Sequence, residues 1–211
     1  MRPAEYAFAA MVLLSFAIGI WLYPSMPEPM AGHWDAAGQV DGYLPRFWGL
    51  FLMPVITAGM LLLYLAIPRM DPLKRNLEKF RGHYDLFMLL LAGFLLYLYM
   101  LTLAWSLGFM FDMVMMLVPA FAMLFYYAGV LVEHSRKNWF IGIRTPWTMS
   151  SDRVWGKTHK LGGRLFKVAA VVALLGLLFR DWAIWIMIVP VMAVAIYTVA
   201  YSYFEYRKEA R

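Results

Sequence analysis

The chain contains no cysteine, which removes disulfide frameworks, thiolate nucleophiles and cysteine-based zinc sites from consideration. Charge is also scarce: 15% of the 211 residues are Asp, Glu, Lys or Arg, against 63% hydrophobic and 18% aromatic. With a mean hydropathy of +0.63, there is too little polar surface to cover a water-soluble globule. The composition therefore defines an integral membrane protein. Its length suffices for one bundle of spans of about 20 residues each, so a single membrane domain over residues 1–211 is expected.

A third absence lies inside the apolar runs, where no Asp, Glu, Lys, Arg or His falls near the middle of a predicted span. Ion-coupled transporters place such groups at the midplane to hold the coupling ion, so proton-coupled transport is disfavoured. The polar side chains there are Ser15, Thr57, Thr102, Thr198 and several tyrosines. Gly59, Gly93 and Gly129 could line a path, but close helix packing is the simpler reading. The four histidines, His33, His83, His134 and His159, form no HExxH-like pair, and neither a metal, a cofactor nor a catalytic residue is expected.

Apolar segments run from Glu5 to Tyr23, Phe47 to Ile67, Tyr84 to Trp105, Asp112 to Val132, Gly163 to Phe179 and Trp182 to Phe204. The prediction is an all-α polytopic bundle of about six transmembrane helices. The first run follows Arg2 but lacks a small-residue cleavage site and exceeds a signal-peptide core, so it reads as a retained span. A two-span unit, 1–68 with an external loop at 24–46, precedes a four-span unit, 84–211, whose loop at 133–163 is rich in polar residues.

Positive residues mark the cytoplasmic side. They gather after span two (Arg69, Lys74, Arg75, Lys79, Arg81), after span four (Arg136, Lys137, Arg144, Arg153, Lys157, Lys160) and in the tail (Arg207, Lys208, Arg211). Both termini are thus expected on the cytoplasmic side of the cell membrane, consistent with an even number of spans. The net charge of +6 points to anionic lipid as partner rather than to direct nucleic-acid binding. Trp21, Tyr23, Trp48, Trp105, Trp139, Trp182, Tyr203 and Tyr206 fall near span ends as an interfacial belt, and the methionines of span four read as flexible packing rather than a copper site.

Two polar segments interrupt the apolar pattern. The first loop contains HWDAAGQVDGY, with His33, Trp34, Asp35, Asp41, Gly42 and Tyr43 as candidate contact residues. Its Asp and Gly density favours an ordered, proline-framed turn over a metal or acid/base site. The second segment is NWFIGIRTPWTMSSDRVWGKTHKLGGR, residues 138–164. From Ser150 onward, N-cap oxygens precede a helical pattern in which Arg153, Lys157, Lys160 and Arg164 share one face and Val154, Thr158, Leu161 and Leu165 another, with Trp155 and His159 flanking. This predicts an amphipathic helix on the inner membrane surface, its basic side toward headgroups or solvent, loosened at Gly162-Gly163 before the fifth span. In IGIRTPW, Pro146 fixes the backbone, and Arg144 can bind backbone carbonyls or stack on Trp139 or Trp147. A structural plug and a docking surface are equally compatible with that stretch.

Residues 138–166, NWFIGIRTPWTMSSDRVWGKTHKLGGRLF, resemble the hallmark of the SdpI family of multi-pass membrane proteins. YPSMPEPMAGHWDAAGQVDGYLPRF, with LMP in span two, resembles the N-terminal domain of unknown function that commonly accompanies it. The resemblance implies six spans in a plasma membrane, immunity to a secreted toxin peptide outside, and sequestration of a cytoplasmic repressor inside. It also implies that Asn138, Gly142, Arg144, Thr145, Pro146, Trp147, Trp155, Lys157 and the Gly163 region form the family motif, with His159 beside them. A small-solute transporter or channel is the alternative.

Overall fold

The computed structural model describes residues 2–209; Arg211 of the basic tail lies outside them. Helix α1 (Pro3–Leu22) is followed by strands β1 (Met30–Trp34) and β2 (Val40–Leu44), then by α2 (Arg46–Met70), α3 (Lys74–Glu78), α4 (Arg81–Ser106), α5 (Met113–His134), α6 (Pro146–Ser150), α7 (Asp152–Ala173) and α8 (Ala183–Glu209). Among the described residues, five helical segments are long and apolar enough to cross a membrane: Pro3–Ser25, Arg46–Met70, Arg81–Ser106, Met113–His134 and Arg180–Glu209. The molecule is a helical membrane bundle, and five of the expected spans appear within a few residues of their predicted ends.

The region of the other expected span is built differently. The surface helix and the separate fifth span, Gly163–Phe179, are one uninterrupted helix, α7, continued by a short 3-10 turn at Leu174–Leu177. Gly162-Gly163 is no hinge. A Cβ on Gly163 would lie 2.6 Å from the Gly129 carbonyl oxygen and 2.6 Å from Glu133 Cβ, and one on Gly162 would lie 2.5 Å from Ile143 Cδ1. The two glycines cost helix propensity, but they let α7 approach α5 and the Ile143 loop at distances that no side chain permits. Tertiary packing outweighs the local preference. The face bearing Val154, Trp155, Thr158 and His159 is buried, so that face of α7 packs against protein.

The chain forms two compact units, Met1–Leu65 with Met88–Leu117, and Ala66–Phe87 with Val118–Arg211. In the first, Met26, Met30, Leu50, Tyr99 and Leu103 form a core packed by Ile18, Leu22, Phe51, Met53 and Leu96. Gly19 admits the Tyr99 hydroxyl, which a Cβ would meet at 2.9 Å. The first loop was expected to be a proline-framed turn; it is instead an antiparallel hairpin pairing Met30 with Leu44, Ala31 with Tyr43, His33 with Gly42 and Trp34 with Val40. Met30 and Ala31 are buried, and this anchoring extends the strands on either side of a turn at Asp35–Gln39. In the second unit, α7 lies along α8, and Ala122, Ala173 and Met187 pack with Phe121, Phe125 and Ile184.

Candidate functional site

The hairpin keeps most of its polar chemistry to itself. Asp35 Oδ1 accepts the Ala37 and Gln39 N–H groups at 2.9 and 2.8 Å, a local bond pattern typical of Asp-led turns. His33 Nδ1 contacts Asp41 Oδ1, and both side chains are largely exposed. Trp34 packs edge-on against Trp105 at 5.8 Å, and Tyr43 is exposed. Gly42 is required by its partner strand, since a Cβ there would lie 2.9 Å from His33 Cβ. Among the described residues, no group of three or more His, Asp or Glu side chains converges as metal ligands would.

The second segment is built in the opposite manner, around buried side chains. Asn138 has no exposed surface. Its amide nitrogen donates to the Arg136 and Ile141 carbonyls, both at 2.8 Å, and its oxygen accepts the Phe140 and Ile141 N–H groups at 2.9 and 2.6 Å. One side chain thereby satisfies four backbone groups of a loop that has no regular structure to do so. Two acceptors tie this loop to the preceding segment: the Trp139 N–H donates to Asp71 Oδ2 at 3.0 Å, and Asn76 Nδ2 donates to the Lys137 carbonyl at 2.9 Å.

The chain then reverses at Gly142, whose φ of +111° lies where glycine alone is at ease. The same glycine makes room for His159, because a Cβ would collide with the imidazole Nε2. His159 Nε2 accepts the Ile143 N–H at 2.9 Å, and Nδ1 donates to the Trp155 carbonyl at 2.9 Å. These two partners fix the neutral ring with its proton on Nδ1. Burial holds the imidazole down to about 4, opposed by the bond to Trp155, because a protonated ring would be desolvated and would face the Ile143 N–H with no lone pair. Trp155 stacks on His159 at 3.8 Å and 14°, and its indole N–H donates to the Ser135 carbonyl at 3.1 Å.

Thr145 caps α6: its hydroxyl accepts the Thr148 N–H at 3.1 Å, while Thr148 Oγ1 accepts the Thr145 N–H at 2.9 Å. The two hydroxyls of Thr145 and Ser202 are 3.0 Å apart, linking the cap to α8. Pro146 occupies the first helical turn, where its missing N–H costs nothing. Trp147 packs against Tyr203 at 5.0 Å, and Lys157 Nζ donates to Glu205 Oε2 at 2.6 Å. Of the two arrangements open to Arg144, the backbone one is found: its guanidinium donates to the Trp139 carbonyl, while most of the residue stays exposed.

All nine motif residues thus fall in one structural unit, but they serve two surfaces. Asn138, Thr145, Trp155 and His159 are buried; Arg144 and Pro146 are exposed, beside the exposed Trp139 and Phe140, which are outside the nine. Sequence reasoning missed Asp71, Asn76, Thr148, Ser202 and Glu205. Thr148 had a visible signal in its three-residue spacing from Thr145, the arrangement of reciprocal capping, whereas the other four are distant in sequence and carry no local signature.

Five apolar spans and a buried polar clasp define a multi-pass helical membrane protein. Residues 135–202, which contain the clasp and extend into α8, match the SdpI/YfhL protein family, and residues 10–58 match a domain of unknown function, DUF1648. The two matched stretches follow one another in the order that the sequence motifs imply. It is 26% identical to the immunity protein SdpI of Bacillus subtilis (strain 168) over 201 residues, covering 93% of each chain. No solved structure matches it.

Proposed function

We propose that the protein is a membrane immunity protein that protects the cell against a secreted, membrane-active toxin peptide. The observation that carries this reading is the end-to-end similarity, 93% of both chains, to an immunity protein. Similarity confined to the motif would support only a shared clasp, whereas this alignment includes the hairpin. The hairpin, with exposed Tyr43 and the exposed His33–Asp41 pair, is the proposed toxin-facing element. Both termini and the clasp lie on the cytoplasmic side in this proposal, following the distribution of Lys and Arg, which requires α7 with its 3-10 continuation to make a sixth crossing between α5 and α8.

A second activity, retention of a cytoplasmic repressor, is favoured by one feature of the clasp. Trp139, Phe140 and Arg144 remain exposed beside a fully buried Asn138. A rigid frame carrying exposed aromatic and Arg groups suits recognition of a protein partner. The buried residues hold that face in place, while the exposed ones contact the partner.

Expression in a toxin-sensitive strain tests immunity. Survival under a dose that kills the empty-vector strain is the expected result, and unchanged killing by every related toxin tried removes the proposal. Substrate-dependent flux in reconstituted vesicles would instead favour the small-solute channel or transporter.

A further inference from the structure

A cleft of about 300 Å³ opens beside the clasp, lined by Asn76, Lys79, Arg136, Lys137, Asp152, Trp155 and Gly156. We propose that it binds a phosphate-bearing anion, either the headgroup of an anionic phospholipid or a soluble phosphate ester. This goes beyond the immunity reading and does not depend on it.

The charge of the lining carries the argument. Three cations face one carboxylate, and that carboxylate is already engaged, with Asp152 Oδ1 at 2.5 Å from Lys137 Nζ. Two cations are left without a counter-charge from the lining. The Arg136 guanidinium is exposed and makes no ion pair among the described residues. Lys79 is exposed, and its ammonium donates only to Asn76 Oδ1 at 3.3 Å. Asn76 is itself fixed by donating to the Lys137 carbonyl, so it holds the Lys79 ammonium at the cleft. A planar guanidinium beside an ammonium is a pairing suited to phosphate oxygens.

The remaining walls fit the same ligand. Asp152, Trp155 and Gly156 belong to the first turns of α7, a helix of 22 residues whose N-terminal end adds partial positive charge. Trp155 uses its indole N–H on Ser135 and offers the cleft only an apolar surface. Gly156 has no atom within 4 Å of an added Cβ position, so it leaves room. The volume is at the small end of ligand sites, enough for a headgroup or a small ester. Lys137 follows the last residue of α5 by three positions and Lys79 precedes the first residue of α4 by two. That depth is where headgroup phosphates meet span ends.

The test uses full-length protein purified in a neutral detergent, with its thermal midpoint followed during titration by three probes. The probes are phosphatidylglycerol, phosphatidylcholine and glycerol 1-phosphate. A double variant, Lys79→Ala with Arg136→Ala, is compared with a charge-matched control, Lys160→Ala with Arg207→Ala. If either cleft alanine lowers the unliganded midpoint, Lys79→Gln with Arg136→Gln replaces it. Phosphatidylglycerol is expected to raise the wild-type midpoint where phosphatidylcholine does not, and the cleft variant to weaken that binding about tenfold or more, with the control near wild type. The same pattern with glycerol 1-phosphate assigns the site to a soluble ester instead. No shift with either anion, or equal weakening in both double variants, overturns the proposal.

Discussion

The hairpin between α1 and α2 and the clasp between α5 and α7 are both polar insertions in an apolar chain, yet they use polar groups in opposite ways. In the hairpin, bonds are short in sequence and exposed: Asp35 serves residues two and four positions ahead, and His33 meets Asp41 eight positions on. In the clasp, the fully buried Asn138 bonds locally, and other bonds, buried or partly so, reach far: Trp139 to Asp71 spans 68 positions, Asn76 to Lys137 spans 61 and Thr145 to Ser202 spans 57. A polar group exposed to water contributes little when paired, whereas a buried one is costly to leave unpaired. The clasp's polar residues therefore specify architecture, whereas the hairpin's exposed pairs specify little of it.

Substitutions can break this contrast, and the largest effect is expected at the helix crossing. Gly163→Ala places a Cβ 2.6 Å from the Gly129 carbonyl oxygen, a backbone atom that cannot swing aside. A loss of up to about 3 kcal/mol is expected, read as a lowered thermal midpoint in detergent. The clasp should next show a pH dependence of its own. His159 is neutral in the fold, with its pKa held down to about 4 from an ordinary value of 6.5. Between those values the unfolded chain binds the proton and the folded chain does not, so stability rises with pH. The stabilisation is complete above 6.5, is lost as pH falls through the window, and shows no further loss from this group below about 4. His159→Gln, which keeps a donor and an acceptor but does not titrate, should flatten that slope in thermal melts between pH 4 and 7.

Smaller changes sharpen the comparison. Trp155→Phe keeps an aromatic ring but removes the indole donor to the Ser135 carbonyl and part of the buried ring volume, an expected loss of about 2 kcal/mol. His33→Ala in the hairpin removes an exposed pair and should change stability by less than about 1 kcal/mol, measured in the same melts. Under the proposed function, its effect should be read in toxin protection instead.

How much of this was legible in the sequence follows from the range of the forces involved. Five spans could be read because hydropathy over about 20 residues is a local property. The Ser151 cap of α7, which accepts the Val154 N–H at 3.2 Å, and the Pro146 turn were legible for the same reason. Gly162-Gly163 misled because their effect depends on a backbone from another helix, Gly129, that no local rule reveals. The hairpin was obscured by its turn formers, since Met30 and Ala31 acquire strand character from burial against residues outside the loop. Among the motif residues, sequence marked the positions but left their division into buried frame and exposed face unread, because Asp71 and Ser202 complete the frame from far away.

The most direct measurement is the thermal midpoint of Asn138→Ala beside that of Arg144→Ala. Asn138 satisfies four backbone groups with no exposed surface, and its removal should cost on the order of 3 kcal/mol. Arg144, exposed and bonded only to the Trp139 carbonyl, should cost about 1 kcal/mol or less. A clear fall for Asn138→Ala with a near-native Arg144→Ala is the result predicted for a buried frame that presents an exposed face. Equal losses, or a larger loss at Arg144, would contradict it.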